Sequence, residues 1–323
     1  MAKVAIVTRT LNRPAFLRRA IASVLAQTCG DWTHVIVNDG GEREPVESLV
    51  REHAERYAGR VQVLHHEARR GMEAASNSGI RASDSEFIVI HDDDDTWEPL
   101  FLERCLGVFS RPEGQFFSGV VSQINLVAET IRGDRIRVIS KQPHNPWLRS
   151  FRLPANFGFF DEIFSISFLY KRKALDEIGW YNEDMPVQAD IDFNIRFLSR
   201  YNIYAVNEPL ANYHQRKPDA EGPHHNTVVA QQELHFNMRA AIFNRYLRED
   251  LASNRIGIGF LLNGLLRDPN PKLDELHHTL GQINGWLAQL DARVGNLDHY
   301  LQKLISAGKR LPLVGGIIGR VRR

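Results

Sequence analysis

The sequence predicts an α/β fold built on a largely parallel sheet, and two observations carry that prediction. Short apolar strands alternate with helical segments through the first hundred residues. The strands exit into polar groups: Thr8-Arg9, then Asp39, then the run Asp92-Asp93-Asp94-Asp95. Strand–helix alternation at this spacing makes a parallel sheet with helices on both faces, and such sheets bind ligands beyond the carboxyl ends of their strands.

Val4-Ala5-Ile6-Val7 is the first strand. Pro14 follows at a helix start, where its missing N–H is tolerated. From Ala15 to Ala26, Phe16, Ala20, Ile21, Val24 and Leu25 share one helical face, with Arg18 and Arg19 on another. Thr33 to Val37 is a second strand, ending in the turn signature Asn38-Asp39-Gly40-Gly41. A polar helical stretch from Glu44 to Tyr57 leads to a third strand, Val61 to Leu64, and Gly71 to Ala82 reads as loop and then helix. Phe87-Ile88-Val89-Ile90 is a buried fourth strand.

The aspartate run closes that strand. Four adjacent carboxylates repel one another, and a fold keeps them where something positive sits, most often a metal ion. Oxygen-only ligands at a strand end favour Mg²⁺ or Mn²⁺, with substrate phosphates completing the shell. In extended chain Asp92 and Asp94 point to one side and Asp93 and Asp95 to the other.

Composition narrows the class. The chain has 323 residues, 24% charged and 43% hydrophobic, with a net charge of +1, a balance that does not suggest nucleic acid as a partner. Cys29 and Cys105 form neither a disulfide framework nor a metal-type spacing, so a reducing cytosol is the expected compartment. No apolar stretch has the length of a membrane span, and the expectation is a cytoplasmic protein that at most rests on a membrane.

In the second half, Ile166 to Tyr170 reads as a strand and Lys171 to Ile178 as a short helix closed by Gly179. Asp190 and Asp192 precede Phe193, Ile195-Arg196 and Phe197, a pattern that fits the first turn of a partly buried helix, where acids suit the helix dipole. Trp147 and the aromatic run from Asn156 to Asp161 read as core. From Leu273 to Leu304, apolar residues recur in alternating steps of three and four, a heptad pattern that predicts a coiled coil of two or three strands. The tail from Lys309 to Arg323 joins an apolar centre to basic flanks, a composition suited to an anionic lipid surface.

Several of these segments together resemble the family-2 glycosyltransferases of the GT-A fold. They are Thr8 to Pro14, Ala22 to Thr28, Val37 to Gly41, Asn77 to Ile80 and Asp92 to Trp97, in that order. The resemblance implies a Rossmann-like, mixed and mostly parallel sheet with flanking helices, followed here by a helical C-terminal region ending in the coiled coil. With the heptad pattern and the tail it divides the chain into a catalytic domain over 1–218 (nucleotide-sugar half 1–100, acceptor and base half 101–218), a helical linker region 219–272, the coiled coil 273–305 and the tail 306–323.

The same resemblance assigns roles. Thr8, Arg9, Asp39, Asn77, Asp92 and Asp93 hold the nucleotide sugar. Asp94 ligates a divalent metal, Mn²⁺ or Mg²⁺, and Asp92, Asp95 and His214 are further ligand candidates. Asp190 is the catalytic base of an inverting transfer from a nucleotide-diphosphate sugar to a glycan or lipid-linked acceptor, in surface polysaccharide assembly. The chain departs from the family pattern at Ser76, where arginine is common, and at Ala189, where glutamate is common. Those departures keep a non-catalytic oligomeric scaffold as the rival reading, with a nucleotidyltransferase behind it.

Overall fold

The computed structural model describes residues 2–132, 135–151, 162–216 and 232–253. The predicted coiled coil and basic tail lie outside the described residues, as do residues 156–161 of the aromatic run. Met1–Asn263 forms one compact unit.

The predicted alternation is present. Strands β1 (Val4–Thr10), β2 (Trp32–Asn38), β3 (Val61–His65) and β4 (Phe87–Ile90) alternate with helices α1 (Pro14–Leu25), α2 (Arg43–Glu52) and α3 (Met72–Arg81). Proline opens α1. Its φ is already helical and it has no N–H to leave unpaired. The stretch from Glu44 to Tyr57 breaks in two, with a separate short turn of helix at Ala54–Tyr57.

Period-two alternation places the core on both faces of these strands. Val7, Val35, Val37, Ile88 and Ile90 pack on one side with Ala75 and Ile80 of α3. Val4, Ile6, Ile36, Phe87 and Val89 pack on the other with Leu17, Ile21 and Val24 of α1. Gly79 lets α3 approach closely, since a Cβ there would stand 2.3 Å from Val7 Cγ1.

Beyond β4 the sheet changes character. Helix α4 (Phe101–Phe109) follows the short strand β5 (Thr96–Trp97). Strands β6 (Gly119–Arg132), β7 (Arg135–Pro143), β8 (Phe168–Lys171) and β9 (Ile203–Arg216) complete a nine-stranded sheet of order β3-β2-β1-β4-β8-β6-β9-β5, with β7 on β6. Four of its pairings are parallel, β1 with β2, β2 with β3, β1 with β4 and β6 with β9. The other four are antiparallel, so the sheet is mixed. Trp147, read as core, is 60% exposed.

Two more helices matter for the site, α5 (Ala189–Leu198) and α6 (Gln232–Ala252). The sequence assigned α6 to a linker, but it packs on the catalytic unit: Ile242 is buried in the core that holds Phe193 and Phe197 of α5. Asp192 clamps the two helices together by accepting hydrogen bonds from Arg245, from Tyr246 Oη at 2.9 Å and from Arg196 Nε at 3.0 Å.

Candidate active site

At the carboxyl ends of β1 and β4 the chain opens a cleft of about 340 Å³, whose lining includes Arg9, Arg13, Glu73, Asp92, Asp94, Asp95 and Asp190. The aspartate run turns as soon as it leaves β4, and the Asp95 N–H donates to the Asp92 carbonyl at 3.2 Å. The expected two-by-two alternation is therefore absent. Asp92, Asp94 and Asp95 face the cleft, while Asp93 turns inward and is fully buried.

Turning lets separate cations meet separate carboxylates. Arg9 Nε donates to Asp92 Oδ1 at 2.7 Å, and its Nη1 reaches Ser76 Oγ at 3.1 Å and Glu73 at 3.5 Å. Arg13 and the Thr10 hydroxyl hold Asp93, the latter at 2.7 Å. Asp94 receives Arg216 and, at 3.4 Å, Arg13. Burial works against its charge, but Arg13 and Arg216 override it and keep the carboxyl below its usual range.

Among the described residues, no arginine forms an ion pair with Asp95 or Asp190. Burial drives the Asp95 carboxyl well above its usual range, and the charges of Asp94 and Asp92 push the same way. Burial likewise raises Asp190, whose Oδ1 accepts the Ile191 N–H at 2.9 Å in the first turn of α5. Burial lifts Glu73 to about 7, with Arg9 pulling the other way, and Asp93 to about 6. The cleft thus holds more carboxylates than its arginines neutralise.

A family model, Glycosyl transferase family 2, matches residues 5–179, which hold β1 to β4, the arginines of α1 and the aspartate turn. The chain belongs to glycosyl transferase family 2. An uncharacterised glycosyltransferase of Bacillus subtilis, YwdF, is 28% identical over 209 residues, covering 63% of this chain and 71% of that protein. A PGL/p-HBAD biosynthesis glycosyltransferase of Mycobacterium bovis is 28% identical over 195 residues, 60% of this chain and 69% of that one.

The fold of this family 2 member is shared with solved structures. TarS of S. aureus in complex with UDP superposes with a TM-score of 0.53 at 13% identity, over 66% of this chain and 60% of that one. The mannosyltransferase PcManGT of Pyrobaculum calidifontis, in complex with GDP-Man and Mn²⁺, gives 0.50 at 15% identity, over 68% and 58%. The chain therefore matches about three fifths of each of those structures.

Of the residues assigned from the sequence of this family 2 chain, the cleft brings together Arg9, Asp92, Asp94, Asp95 and Asp190. The others are not among its lining residues. Thr8 is buried against His34 Nε2 at 2.8 Å. Asp39 accepts the N–H groups of Arg70 and Gly71 at 2.8 and 2.9 Å and contacts His66 Nδ1 at 2.7 Å, which ties down the loop before α3. The Asn77 amide is bound to the Tyr181 backbone and to Glu183 Oε1. Asp93 anchors the turn from beneath.

His214, expected as a metal ligand, does not line the cleft. Its Nδ1 lies 2.9 Å from Glu129 Oε2 and its Nε2 3.0 Å from Thr96 Oγ1, so both ring nitrogens are engaged. Burial lowers its pKa, which keeps the ring neutral. Its backbone N–H instead donates to Asp95 Oδ1 at 2.8 Å. Glu129, with its side chain fully buried, also receives Arg19 at 2.5 Å and Arg216 at 2.9 Å.

Arg13, Arg19, Glu73, Glu129 and His235 were not singled out in the sequence. Arg13 sits inside the first motif and could have been. Glu129 and Arg216 meet only because β6 and β9 pair in a register that sets one opposite the other.

Among the described residues, no three His, Cys, Asp or Glu side chains already stand as a metal-holding group. The donor chemistry nevertheless fits a hard divalent cation. Asp92, Asp94 and Asp95 offer only oxygen, and burial and mutual repulsion raise the one without an arginine. A cation held by Asp94 and Asp95, with Asp92 beside it, would exchange with the arginine contacts of Asp94.

Proposed function

We propose that this chain is a metal-dependent, inverting glycosyltransferase. It moves a sugar from a nucleotide-diphosphate sugar to a hydroxyl of a glycan or lipid-linked acceptor in surface polysaccharide assembly. The observation that carries this reading is one half-buried carboxyl, Asp190, sharing a cleft with a separate cluster of three, Asp92, Asp94 and Asp95. An inverting transfer needs that division of labour: one base for the acceptor proton and one charged cluster for the diphosphate.

In this mechanism the acceptor hydroxyl approaches the anomeric carbon from the Asp190 side. Its oxygen forms the new glycosidic bond as the bond to the diphosphate breaks on the opposite face, and Asp190 takes the proton. Burial makes the Asp190 carboxylate more basic than an exposed one, which suits a proton acceptor. Arg9 and Arg13 line the cleft and supply positive charge where the leaving diphosphate gains negative charge. When bound, Mn²⁺ or Mg²⁺ adds Lewis-acid stabilisation of that diphosphate.

Support for the donor class comes from the neighbours' own complexes, UDP in TarS and GDP-Man with Mn²⁺ in PcManGT. The biosynthetic setting is supported by the name of the Mycobacterium bovis relative, a biosynthesis glycosyltransferase, and the acceptor class follows the resemblance read from the sequence. Assembly through residues 273–305 and membrane contact through 306–323 remain proposals from sequence, on the inner face of the membrane. No described helix is long and apolar enough to cross one.

The test is thermal stability of the full chain against UDP, GDP, dTDP and CDP, each with Mn²⁺, with Mg²⁺ and with EDTA. A ligand that binds only the folded state raises the melting temperature by mass action. A metal-dependent rise with one nucleotide is expected. No rise with any of them would return the chain to the reading of a non-catalytic scaffold.

A further inference from the structure

The cleft also holds a neutral polar pair. Gln188 precedes α5 and His235 sits in the first turn of α6, and both line the cleft with Asp190. The Gln188 amide nitrogen lies 2.8 Å from His235 Nδ1. The remaining polar atoms of the pair, Gln188 Oε1 and His235 Nε2, are buried without a hydrogen-bond partner. Buried polar atoms are normally paired, and two unpaired ones side by side in a cleft mark a place where a ligand supplies the partners.

Backbone geometry points the same way. Gln188 has φ +66°, in the left-handed region that a glutamine adopts at a cost. Strain of this kind collects at functional sites, where it fixes a side chain in one place.

The hydrogen-bond inventory defines what fits. With the amide donating to Nδ1, the pair presents Gln188 Oε1 as acceptor and His235 Nε2–H as donor. With the amide reversed, it presents an N–H donor and the imidazole acceptor. Either way one donor and one acceptor stand together. A sugar hydroxyl, or two adjacent ones, matches that arrangement.

A phosphate, with acceptors alone, would leave one atom unmatched. Burial lowers the His235 pKa and keeps the ring neutral, which also disfavours an anion. Phe164, Ile191 and Tyr213 also line the cleft and offer apolar surface for a sugar face.

We propose that Gln188 and His235 form a hydroxyl-recognition subsite for the acceptor sugar, holding a hydroxyl next to the one that Asp190 deprotonates. The proposal rests on the transferase reading above. Both residues lie beyond the segment matched by the family model.

The experiment uses the full chain with ¹⁵N-imidazole-labelled histidine. Methyl β-D-glucopyranoside, methyl β-D-galactopyranoside and methyl α-D-mannopyranoside are titrated in turn, with and without UDP and Mn²⁺. At least one glycoside is expected to shift the His235 Nε2 resonance, assigned by its loss in His235→Phe. Gln188→Met is expected to weaken binding of that glycoside about tenfold, the effect of one good hydrogen bond. Gln188→Asn is a second variant, because asparagine accepts the left-handed backbone while its shorter amide withdraws from His235.

A resonance that none of the three glycosides moves overturns the subsite. So does wild-type glycoside affinity in both Gln188 variants. The nucleotide melting shift separates this result from the parent reading. A nucleotide response without a glycoside response loses the subsite alone, and a glycoside response without a nucleotide response loses the transferase alone.

Discussion

Asp95 accepts the backbone N–H of His214 at 2.8 Å, across a sequence separation of 119 residues. That bond pins the aspartate turn to β9. The ring of the same histidine is tied to Glu129 on β6, and Glu129 also holds Arg216, whose guanidinium reaches Asp94. The orientation of two cleft carboxylates is thus set by a buried network on the neighbouring pair of strands.

Glu129 is the hub of that network, and Glu129→Gln should destabilise the protein by about 3 kcal/mol, since it leaves Arg19 and Arg216 short of a buried counter-charge. Burial opposes the Glu129 charge, but His214 and Arg19 override it and hold the carboxyl down to about 2. Its stabilisation is present above about pH 4.5, the ordinary value, and is lost as pH falls toward 2. Urea unfolding of wild type and variant across that window should show the difference between them shrinking with acid.

Asp190→Asn should lower the rate of sugar transfer about a hundredfold to ten-thousandfold, because the amide cannot take the acceptor proton. The melting shift with nucleotide and metal should survive, since Asp190 belongs to the proton side of the cleft. Wild-type turnover in this variant would remove Asp190 from its assigned role.

The aspartates should separate by function. Asp94→Asn and Asp95→Asn are expected to abolish the Mn²⁺-dependent part of the nucleotide melting shift. Asp93→Asn should lower the melting temperature with or without metal, because Asp93 is fully buried on Thr10 and Arg13. Equal metal responses in all three variants would contradict this division.

Glu73 gives the opposite pH sign to Glu129. Burial raises its folded pKa to about 7 from an ordinary 4.5, so its contribution is fully present below pH 4.5 and is lost as pH rises through 7. Glu73→Gln should therefore gain stability relative to wild type between those limits in metal-free buffer, measured by urea unfolding at a series of pH values.

Gly79→Ala tests how α3 is seated. The new Cβ would meet Val7 Cγ1 at 2.3 Å and Val37 Cγ2 at 3.1 Å, so helix or strand must shift. A loss of about 1–3 kcal/mol is expected from overpacking, readable in the same unfolding measurement.

The amino-acid sequence by itself determined β1 to β4, the helices between them and the placing of polar groups at the strand ends. Those elements are local: the periodicity of apolar residues, one proline and one turn signature suffice to set them. It also singled out the aspartate run, because runs of like charge stand out in any window, and Asp190 through the resemblance to family 2.

Tertiary structure alone decided which carboxylates face the cleft. Strand alternation predicts two on each side, yet the run turns, since Thr10, Arg13 and Arg216 reach Asp93 and Asp94 from other elements. Strands β6 and β9 mix polar with apolar residues, and only their pairing brings Glu129 to Arg216. The same holds for His235, on a helix with little apolar periodicity, which meets Gln188 only after α6 has packed on α5. Contacts between distant residues follow from register and packing, and neither is written in a local pattern.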